Sequence, residues 1–209
     1  SSRKGLPQGG PLSPLLSNIY LNSVDEILER LKQTTMSNGY YNLDYARWAD
    51  DAVILIDQFK PRPGLIKVVT ERLREEFSRL GLELNEEKTI TVDLTRDESF
   101  GFLGFDFRLS KTKSGKTGVM KTPKRQARVK LQQTIKGIFR AKRGRPVKEV
   151  VEQINPVLRG WANYFRIGNS KECFDSVRYW VEKKVRRHIY RNKKKRGFGW
   201  KRWSSQQIH

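Results

Sequence analysis

The chain has 209 residues, and its 43 lysines and arginines against 22 aspartates and glutamates give a formal net charge of +21. Hydrophobic residues make up 36% and aromatic residues 11%, which is enough for a folded core and more than a disordered tail usually contains. One cysteine excludes a disulfide framework and a zinc site built on cysteine pairs, and two histidines disfavour a Ser-His-Asp triad. No apolar run approaches the roughly 18 to 20 residues of a membrane span. We therefore expect a cytoplasmic protein with a polyanionic partner and no membrane contact.

The charge is distributed unevenly along the chain. Residues 1–110 contain 14 Lys and Arg and 17 Asp and Glu, whereas residues 111–209 contain 29 and 5. This break predicts a domain boundary near residue 110, within a Gly/Ser/Lys-rich stretch over 110–118 that we expect to be a loop. Carboxylates in the acidic half are suited to metal ions, and cations in the basic half are suited to phosphates.

Hydrophobic periodicity and turn residues predict the elements of the first half. In chain order we expect a helix from Pro14 to about Lys32 with Ser13 as its N-cap, a polar loop over 36–42, strands over 45–48 and 52–56 around a tight turn, a helix over 64–80, strands over 83–84 and 89–92, and a hairpin over 99–107. This half therefore has the pattern of an α+β domain, an antiparallel sheet carrying helices.

The second half changes to a helical period. Three amphipathic segments predict helices over about 122–142, 146–165 and 171–190, joined by short loops that contain glycine. Such a pattern is typical of a small all-α bundle, with Trp161 in its core. A basic and aromatic tail follows.

Two adjacent carboxylates, Asp50 and Asp51, lie in the predicted turn between two hydrophobic strands. Each would feel the charge of the other, and a divalent cation would relieve that repulsion. Hard oxygen ligands suit Mg²⁺, which often bridges to substrate phosphates. Aspartate is also common in solvated turns, and the pair alone favours that simpler interpretation. The surrounding sequence, in contrast, favours a metal site over a solvated turn.

Five segments, in chain order, resemble motifs of reverse transcriptases encoded by group II introns. These are GLPQGGPLSPLLSNIYLN over 5–22 (motif B), YARWADDAVIL over 45–55 (motif C), LNEEKT over 84–89 (motif D), FGFLGF over 100–105 (motif E, the primer grip) and PVLRGWANYF over 156–165 (the maturase domain, or domain X). Trp48 stands where the family usually has Tyr or Phe. The resemblance implies a partial polymerase palm followed by an all-α thumb of about three helices.

The resemblance also implies roles for single residues. Asp50 and Asp51 would be catalytic and would bind two Mg²⁺ ions, which activate the primer 3′-hydroxyl and steady the departing pyrophosphate. Lys88 matches a lysine near the pyrophosphate, although an ordinary strand-edge lysine explains it equally well. Contacts to the incoming dNTP, the template and the primer end are implied for Gln8, Gly9, Gly10, Pro11, Trp48, Ala49, Phe102, Leu103 and Gly104; core packing is the alternative for Phe102 and Leu103.

Two clusters of cations in the second half suit phosphate binding that is strong, salt-sensitive and independent of sequence. The first surrounds the first bundle helix and includes Lys136 and Arg140; the second includes Lys183, Lys184 and Arg186. Exposed tryptophans there are suited to stacking on unpaired bases. The residues expected to contact RNA are Lys121, Lys124, Arg125, Arg128, Arg143, Arg187, Arg191, Lys194 and Trp200.

The chain is thus identified as the C-terminal part of a group II intron reverse transcriptase/maturase, with palm over 1–110 and thumb over 111–209. Its expected partners are an RNA template, intron RNA, a DNA primer and dNTP, with Mg²⁺ as cofactor. The third metal-binding aspartate is expected upstream of Ser1, so we expect this chain to be inactive alone. A non-catalytic RNA-binding splicing factor and a domesticated CRISPR or phage-defence reverse transcriptase remain alternatives. The host intron, the target site and a homodimeric state stay open.

Overall fold

The structure, a computed structural model, describes residues 12–57, 64–111, 115–198 and 200. Its elements pack into two compact units, Ser1–Thr91 and Val92–His209. The first contains α1 (Ser13–Tyr20), α2 (Asn22–Thr34), β1 (Met36–Ser37), β2 (Tyr40–Tyr41), β3 (Leu43–Trp48), β4 (Asp51–Ile56) and α3 (Leu65–Arg79). The second contains a 3-10 turn (Leu94–Arg96), β5 (Ser99–Phe102), β6 (Phe105–Lys111), β7 (Thr117–Pro123), α4 (Arg125–Ala141), α5 (Val147–Phe165) and α6 (Lys171–Asn192). The predicted α+β class is confirmed.

The first predicted helix is broken at Leu21, where φ is −92° and ψ is 10°. The two helices differ in burial: Leu21 at the break and Val24 and Leu28 of α2 are buried, whereas α1 buries none of its residues. Helical spacing alone predicted one continuous helix because the apolar residues of α1 and α2 share that spacing. Leu12, and not Ser13, is the N-cap residue.

The core of the first unit lies between α2, the β3–β4 hairpin and α3. Leu28 is completely buried, and Tyr45, Ile54, Leu73 and Phe77 pack around the buried face of α2. The hairpin is antiparallel, with Leu43 opposite Ile56 and Trp48 opposite Asp51. The α2 face therefore supports the hairpin along its length.

Two further predictions for the first half of the chain were wrong. The stretch over 36–42 is a small β1–β2 hairpin, because Asn38 and Gly39 have φ values of 51° and 75° and form the tight turn that closes such hairpins. The residues over 83–84 and 89–92 pair with no strand in the described parts of the chain. Between them, the Asn85 carbonyl accepts hydrogen bonds from the amides of Lys88 and Thr89, which makes a turn.

The sheet of the second unit has the order β5–β6–β7 and is antiparallel. The predicted hairpin over 99–107 is confirmed, but β7 was missed, and the stretch expected to be a loop supplies paired strand residues such as Ser110 opposite Gly118. Thr122 and Pro123 end β7 and do not begin a helix, because Thr122 pairs with Asp106. The charge break near residue 110 therefore falls inside a strand pair.

The three predicted bundle helices are confirmed as α4, α5 and α6, with ends shifted by a few residues. Their core consists of Leu131, Ile135, Val150, Ile154 and Val177, and Trp161 packs against it as expected. In the parts of the chain that the structure describes, no helix combines the length and hydrophobicity that crossing a membrane requires.

Replacing Ile135 by Ala is expected to lower the free energy of unfolding by about 2–5 kcal/mol, because this fully buried side chain fills the space between the bundle helices. Val129→Ala on the same helix is the control; its side chain is exposed, and we expect a loss below about 0.5 kcal/mol. Urea denaturation monitored by circular dichroism measures both values. Equal losses for the two variants would contradict the core described for this unit.

Candidate functional site

The β3–β4 hairpin ends in a two-residue turn made of Ala49 and Asp50. The sequence predicted that Asp51 also belongs to the turn, but Asp51 is the first residue of β4 and pairs with Trp48. Ala49 has a φ of 53°, a left-handed conformation that is uncommon for a residue other than glycine. Because such a conformation persists only where neighbouring contacts hold it, the turn has a defined shape.

Both carboxylates at this hairpin tip are exposed. Among the described residues, neither the Asp50 nor the Asp51 side chain takes part in an ion pair. Trp48, beside them, is 68% exposed. The tip therefore presents two accessible, negatively charged groups next to a large apolar ring.

Mg²⁺ commonly takes one or two protein carboxylates and completes its shell with water and substrate phosphates. Asp50 and Asp51 supply that number of carboxylates in an accessible position. The described residues contain no group of three or more metal-ligating side chains. The chemistry of the donor set thus fits a magnesium site that is completed by ligands other than those described.

Arg47 holds the turn and was missed from the sequence. Its Nη1 donates to the Ala49 carbonyl at 2.7 Å and to Asn18 Oδ1 at 3.1 Å. Its Nε donates to Asp25 Oδ1 at 2.8 Å, and Nη2 forms an ion pair with Asp25 Oδ2. This hydrogen bonding to Asp25 raises the pKa of the guanidinium. Arg47 thereby connects the turn to α1 and α2.

A sequence signal for Arg47 exists in the alternation of β3. Leu43, Tyr45 and Arg47 share the buried face of the strand, and the Arg47 side chain is only 9% exposed. A charge on the core face of a strand needs a partner, which here is Asp25 on α2. This alternation is a signal from which a paired arginine could have been predicted, but it does not identify the partner.

Lys88 lies in an exposed turn after α3, and its backbone amide donates to Asn85. It is therefore not a strand-edge residue. Among the described residues its ammonium group forms no ion pair, and no hydrogen bond joins it to the β3–β4 hairpin. Gln8, Gly9, Gly10 and Pro11 lie outside the described residues.

A second strained turn lies in the other unit, between β5 and β6. Leu103 and Gly104 have φ values of 47° and 78° and are half-buried, as is Phe102. The Leu103 carbonyl accepts a hydrogen bond from the Tyr164 hydroxyl at 2.9 Å. The Gly104 carbonyl accepts one from the backbone amide of Lys124, also at 2.9 Å. Helix α5 thus holds the Leu103 carbonyl, and the backbone between β7 and α4 holds the Gly104 carbonyl.

The two basic clusters of the sequence meet on one surface of the second unit. Burial, together with the cations of Lys136, Arg187, Arg191 and Arg140, holds the pKa of Lys184 below its usual range. These residues belong to α4 and α6, which are separated in sequence. We call this group of five cations the α4–α6 basic surface. Concentrated positive charge of this kind favours binding of phosphates.

Arg186 does not belong to that surface, contrary to its place in the predicted cluster. It is 1% exposed, and its Nη2 lies 2.7 Å from Glu182 Oε1 in a buried ion pair. The ring of Trp200 covers its guanidinium at 4.0 Å and stacks on Tyr179 at 6.0 Å. Trp200 remains 43% exposed, so part of its ring is accessible for stacking on a base.

The remaining predicted RNA contacts differ in exposure. Those that are exposed are Arg125, Arg143 and Lys194, whereas Lys121, Lys124 and Arg128 are half-buried. The Lys124 side chain lies against β5, because a Cβ added at Gly101 would lie 1.8 Å from its Nζ. Lys121 joins β7 to the loop before α6, since its carbonyl accepts from the Asn169 amide at 2.7 Å.

Comparisons with known proteins match both halves of the chain. The model of the reverse transcriptase (RNA-dependent DNA polymerase) family matches residues 1–107, about half of the chain. The model of the group II intron, maturase-specific domain matches residues 128–207. Protein YkfC of Escherichia coli (strain K12) is 27% identical over 152 residues, which cover 61% of this chain and 39% of YkfC. The chain therefore spans about two fifths of the length of that curated relative.

Proposed function

Because the chain belongs to the group II intron reverse transcriptase/maturase family, we propose that it serves RNA-directed DNA synthesis and the splicing of intron RNA. One observation carries the catalytic part of the proposal. Within the match to the reverse transcriptase family, two adjacent carboxylates stand exposed on a hairpin tip that Arg47 holds in place. The proposed site of action is the cytoplasm.

The proposed reaction is nucleotidyl transfer on an RNA template. The primer 3′-hydroxyl loses its proton to water as O3′ bonds to the α-phosphorus of a dNTP, and the bond from that phosphorus to the pyrophosphate leaving group breaks. Mg²⁺, when bound, supplies a Lewis acid that stabilises the charge developing on the phosphoryl oxygens. Asp50 and Asp51 would hold the metal ions, and the Trp48 ring would pack beside the primer end. The turn at Leu103 and Gly104 would contact the primer.

In this proposal residues 1–110 contribute the palm and residues 111–209 the thumb. The β5–β7 sheet belongs to the same unit as the thumb helices, and Tyr164 on α5 donates to the Leu103 carbonyl of the turn. These contacts support the proposal that the turn holds the primer. The α4–α6 basic surface would bind phosphates of an RNA duplex or of the intron. Lys88 would lie near the pyrophosphate, and Gln8, Gly9 and Gly10 near the incoming nucleotide.

The direct test is primer extension by the intact natural protein on an RNA template annealed to a DNA primer. We expect cDNA when Mg²⁺ is present and none when EDTA removes it, because the proposed chemistry needs the metal. Excision of the intron from its precursor RNA is measured in parallel. Splicing without any cDNA synthesis would identify the protein as a non-catalytic splicing factor instead.

RNA binding has its own expected result. Arg187→Ala combined with Arg191→Ala should weaken RNA binding by the full chain about tenfold, with little dependence on sequence, because two phosphate contacts are lost. The slope of log affinity against log salt should fall by about 1 to 2. Fluorescence anisotropy with labelled RNA measures both quantities.

The matched control is Lys67→Ala combined with Arg72→Ala on α3. It removes the same two charges from exposed side chains outside the α4–α6 basic surface. An equal loss of affinity for both double variants would mean that net charge alone, and not this surface, determines RNA binding.

A further inference from the structure

The turn between β5 and β6 is under backbone strain. Its two central residues, Leu103 and Gly104, have left-handed backbone conformations, and Leu103 has a φ of 47°. The left-handed region is unfavourable for a residue that has a Cβ atom. Such a residue stays in this conformation only where contacts with its surroundings hold it there. The orientation of this turn therefore depends on groups outside the hairpin.

Tyr164 on α5 supplies one of those groups. Its hydroxyl donates to the Leu103 carbonyl at 2.9 Å, across 61 residues of sequence. The next carbonyl, that of Gly104, accepts from the Lys124 amide. The Lys124 contact comes from the backbone and is available to any residue except proline at that position, whereas the Leu103 contact depends on the tyrosine hydroxyl.

The Tyr164 ring is itself held by aromatic neighbours. Its centroid lies 5.8 Å from that of Phe105, which follows the turn, and 4.8 Å from that of Phe165. Phe165 in turn lies 4.9 Å from Trp161 in the bundle. A Cβ added at Gly104 would contact the Phe165 ring at 3.5 Å. The hydroxyl is therefore placed by packing, although the Tyr164 side chain is 52% exposed.

We propose that Tyr164 is a positioning residue for the primer-holding turn. Its hydroxyl sets the direction of the Leu103 carbonyl, and so sets how the turn meets the 3′ end of the primer. This inference rests on the proposed function of Leu103 and Gly104 as primer contacts. Helix α5 thereby determines the geometry of the primer terminus as well as the packing of the bundle.

The variant Tyr164→Phe tests this inference because it removes the hydroxyl and keeps the ring and its aromatic contacts. The full chain is mixed with an RNA–DNA duplex whose primer ends in 4-thiothymidine, and crosslinking to residues 102–104 is quantified after irradiation. Anisotropy of a label placed away from the primer end measures total duplex affinity. Thermal denaturation measures stability.

The control is Tyr20→Phe. Tyr20 is 53% exposed, and its hydroxyl also donates to a backbone carbonyl, that of Leu80. For Tyr164→Phe we expect crosslinking at the turn to fall about fivefold or more, because small displacements of a positioning group have large effects on reacting geometry. Duplex affinity should change less than about twofold, since phosphate contacts dominate it. The control should match the wild type in crosslinking and in duplex affinity.

Two results would overturn the inference while leaving the primer contact intact. In the first, Tyr164→Phe crosslinks as well as the wild type. In the second, crosslinking and duplex affinity fall by the same factor, which would make Tyr164 a binding contact and not a positioning residue. A wild-type chain that binds duplex without crosslinking at residues 102–104 would overturn the proposed primer contact, and the inference with it.

Discussion

Asp50→Asn combined with Asp51→Asn is expected to lower primer extension by the intact natural protein at least about a thousandfold. The amide keeps the shape of the side chain but removes the negative charge that Mg²⁺ requires. A loss of about 4 kcal/mol of transition-state stabilisation corresponds to three powers of ten in rate, and metal ions contribute several kcal/mol in such reactions. Steady-state primer extension at saturating Mg²⁺ measures the change.

The control for this prediction changes the net charge equally. Glu26→Gln combined with Glu29→Gln neutralises two exposed carboxylates on α2 in the same unit. We expect this variant to extend primers at nearly the wild-type rate. Activity of the aspartate double variant within about tenfold of the wild type would contradict the proposed metal site.

A splicing assay on the aspartate double variant distinguishes the two proposed activities, DNA synthesis and intron splicing. The aspartate substitutions leave the α4–α6 basic surface unchanged, so RNA binding and intron excision should persist while cDNA synthesis is lost. Joint loss of both activities in a folded variant would mean that the hairpin tip also serves splicing.

Arg47→Ala is expected to lower the free energy of unfolding by about 2–4 kcal/mol, because it leaves a partly buried carboxylate without its partner. The Asp25 side chain is 28% exposed, so we expect the loss of unfolding free energy to be smaller than for a fully buried ion pair. Primer extension should fall as well, since the left-handed Ala49 turn that bears Asp50 loses its hydrogen bond to the guanidinium. Urea denaturation and primer extension measure the two effects.

A double-mutant cycle distinguishes the Arg47–Asp25 interaction from a general effect of losing an arginine. We expect a coupling energy above about 1.5 kcal/mol between Arg47→Ala and Asp25→Ala. Arg30→Ala, which removes an exposed ion pair on α2, should cost less than about 0.5 kcal/mol. Additive effects of Arg47→Ala and Asp25→Ala would show that this ion pair does not hold the turn.

The variant Arg47→Lys separates the effect of the guanidinium's hydrogen-bond geometry from the effect of its positive charge. A lysine keeps the positive charge, but its single ammonium cannot donate to Asp25 with two parallel bonds and also reach the Ala49 carbonyl. We therefore expect Arg47→Lys to recover part of the stability and little of the primer extension. Full recovery of both would mean that the charge alone is sufficient.

Elements with a long, regular hydrophobic period could be predicted from the sequence. The three bundle helices and α3 have that period over four or more turns, and the hairpin over 99–107 has aromatic residues on alternate positions. The α+β class and the family followed from these elements and from five motifs in order. The exposed Asp50 and Asp51 at a hairpin tip also agree with the prediction, although Asp51 belongs to β4.

Elements that depend on a distant partner could not be predicted in this way. β7 exists because β6 offers it hydrogen bonds, and its own sequence reads as a loop followed by a helix start. The residues over 89–92 have strand-like composition but no partner among the described strands. Strand propensity is weak without a neighbour, since its stability comes from cross-strand pairing.

The sequence by itself determined the family, the α+β class, the two charge regimes and the adjacent aspartates, because each is carried by local order and composition. Only the tertiary structure decided that Arg47 holds one strained turn and Tyr164 another, and that Arg186 is buried in an ion pair and not available to RNA. The physical reason is that the environment of a polar side chain is set by residues distant in sequence. An arginine or a tyrosine has the same one-letter code whether its side chain faces solvent or a backbone carbonyl.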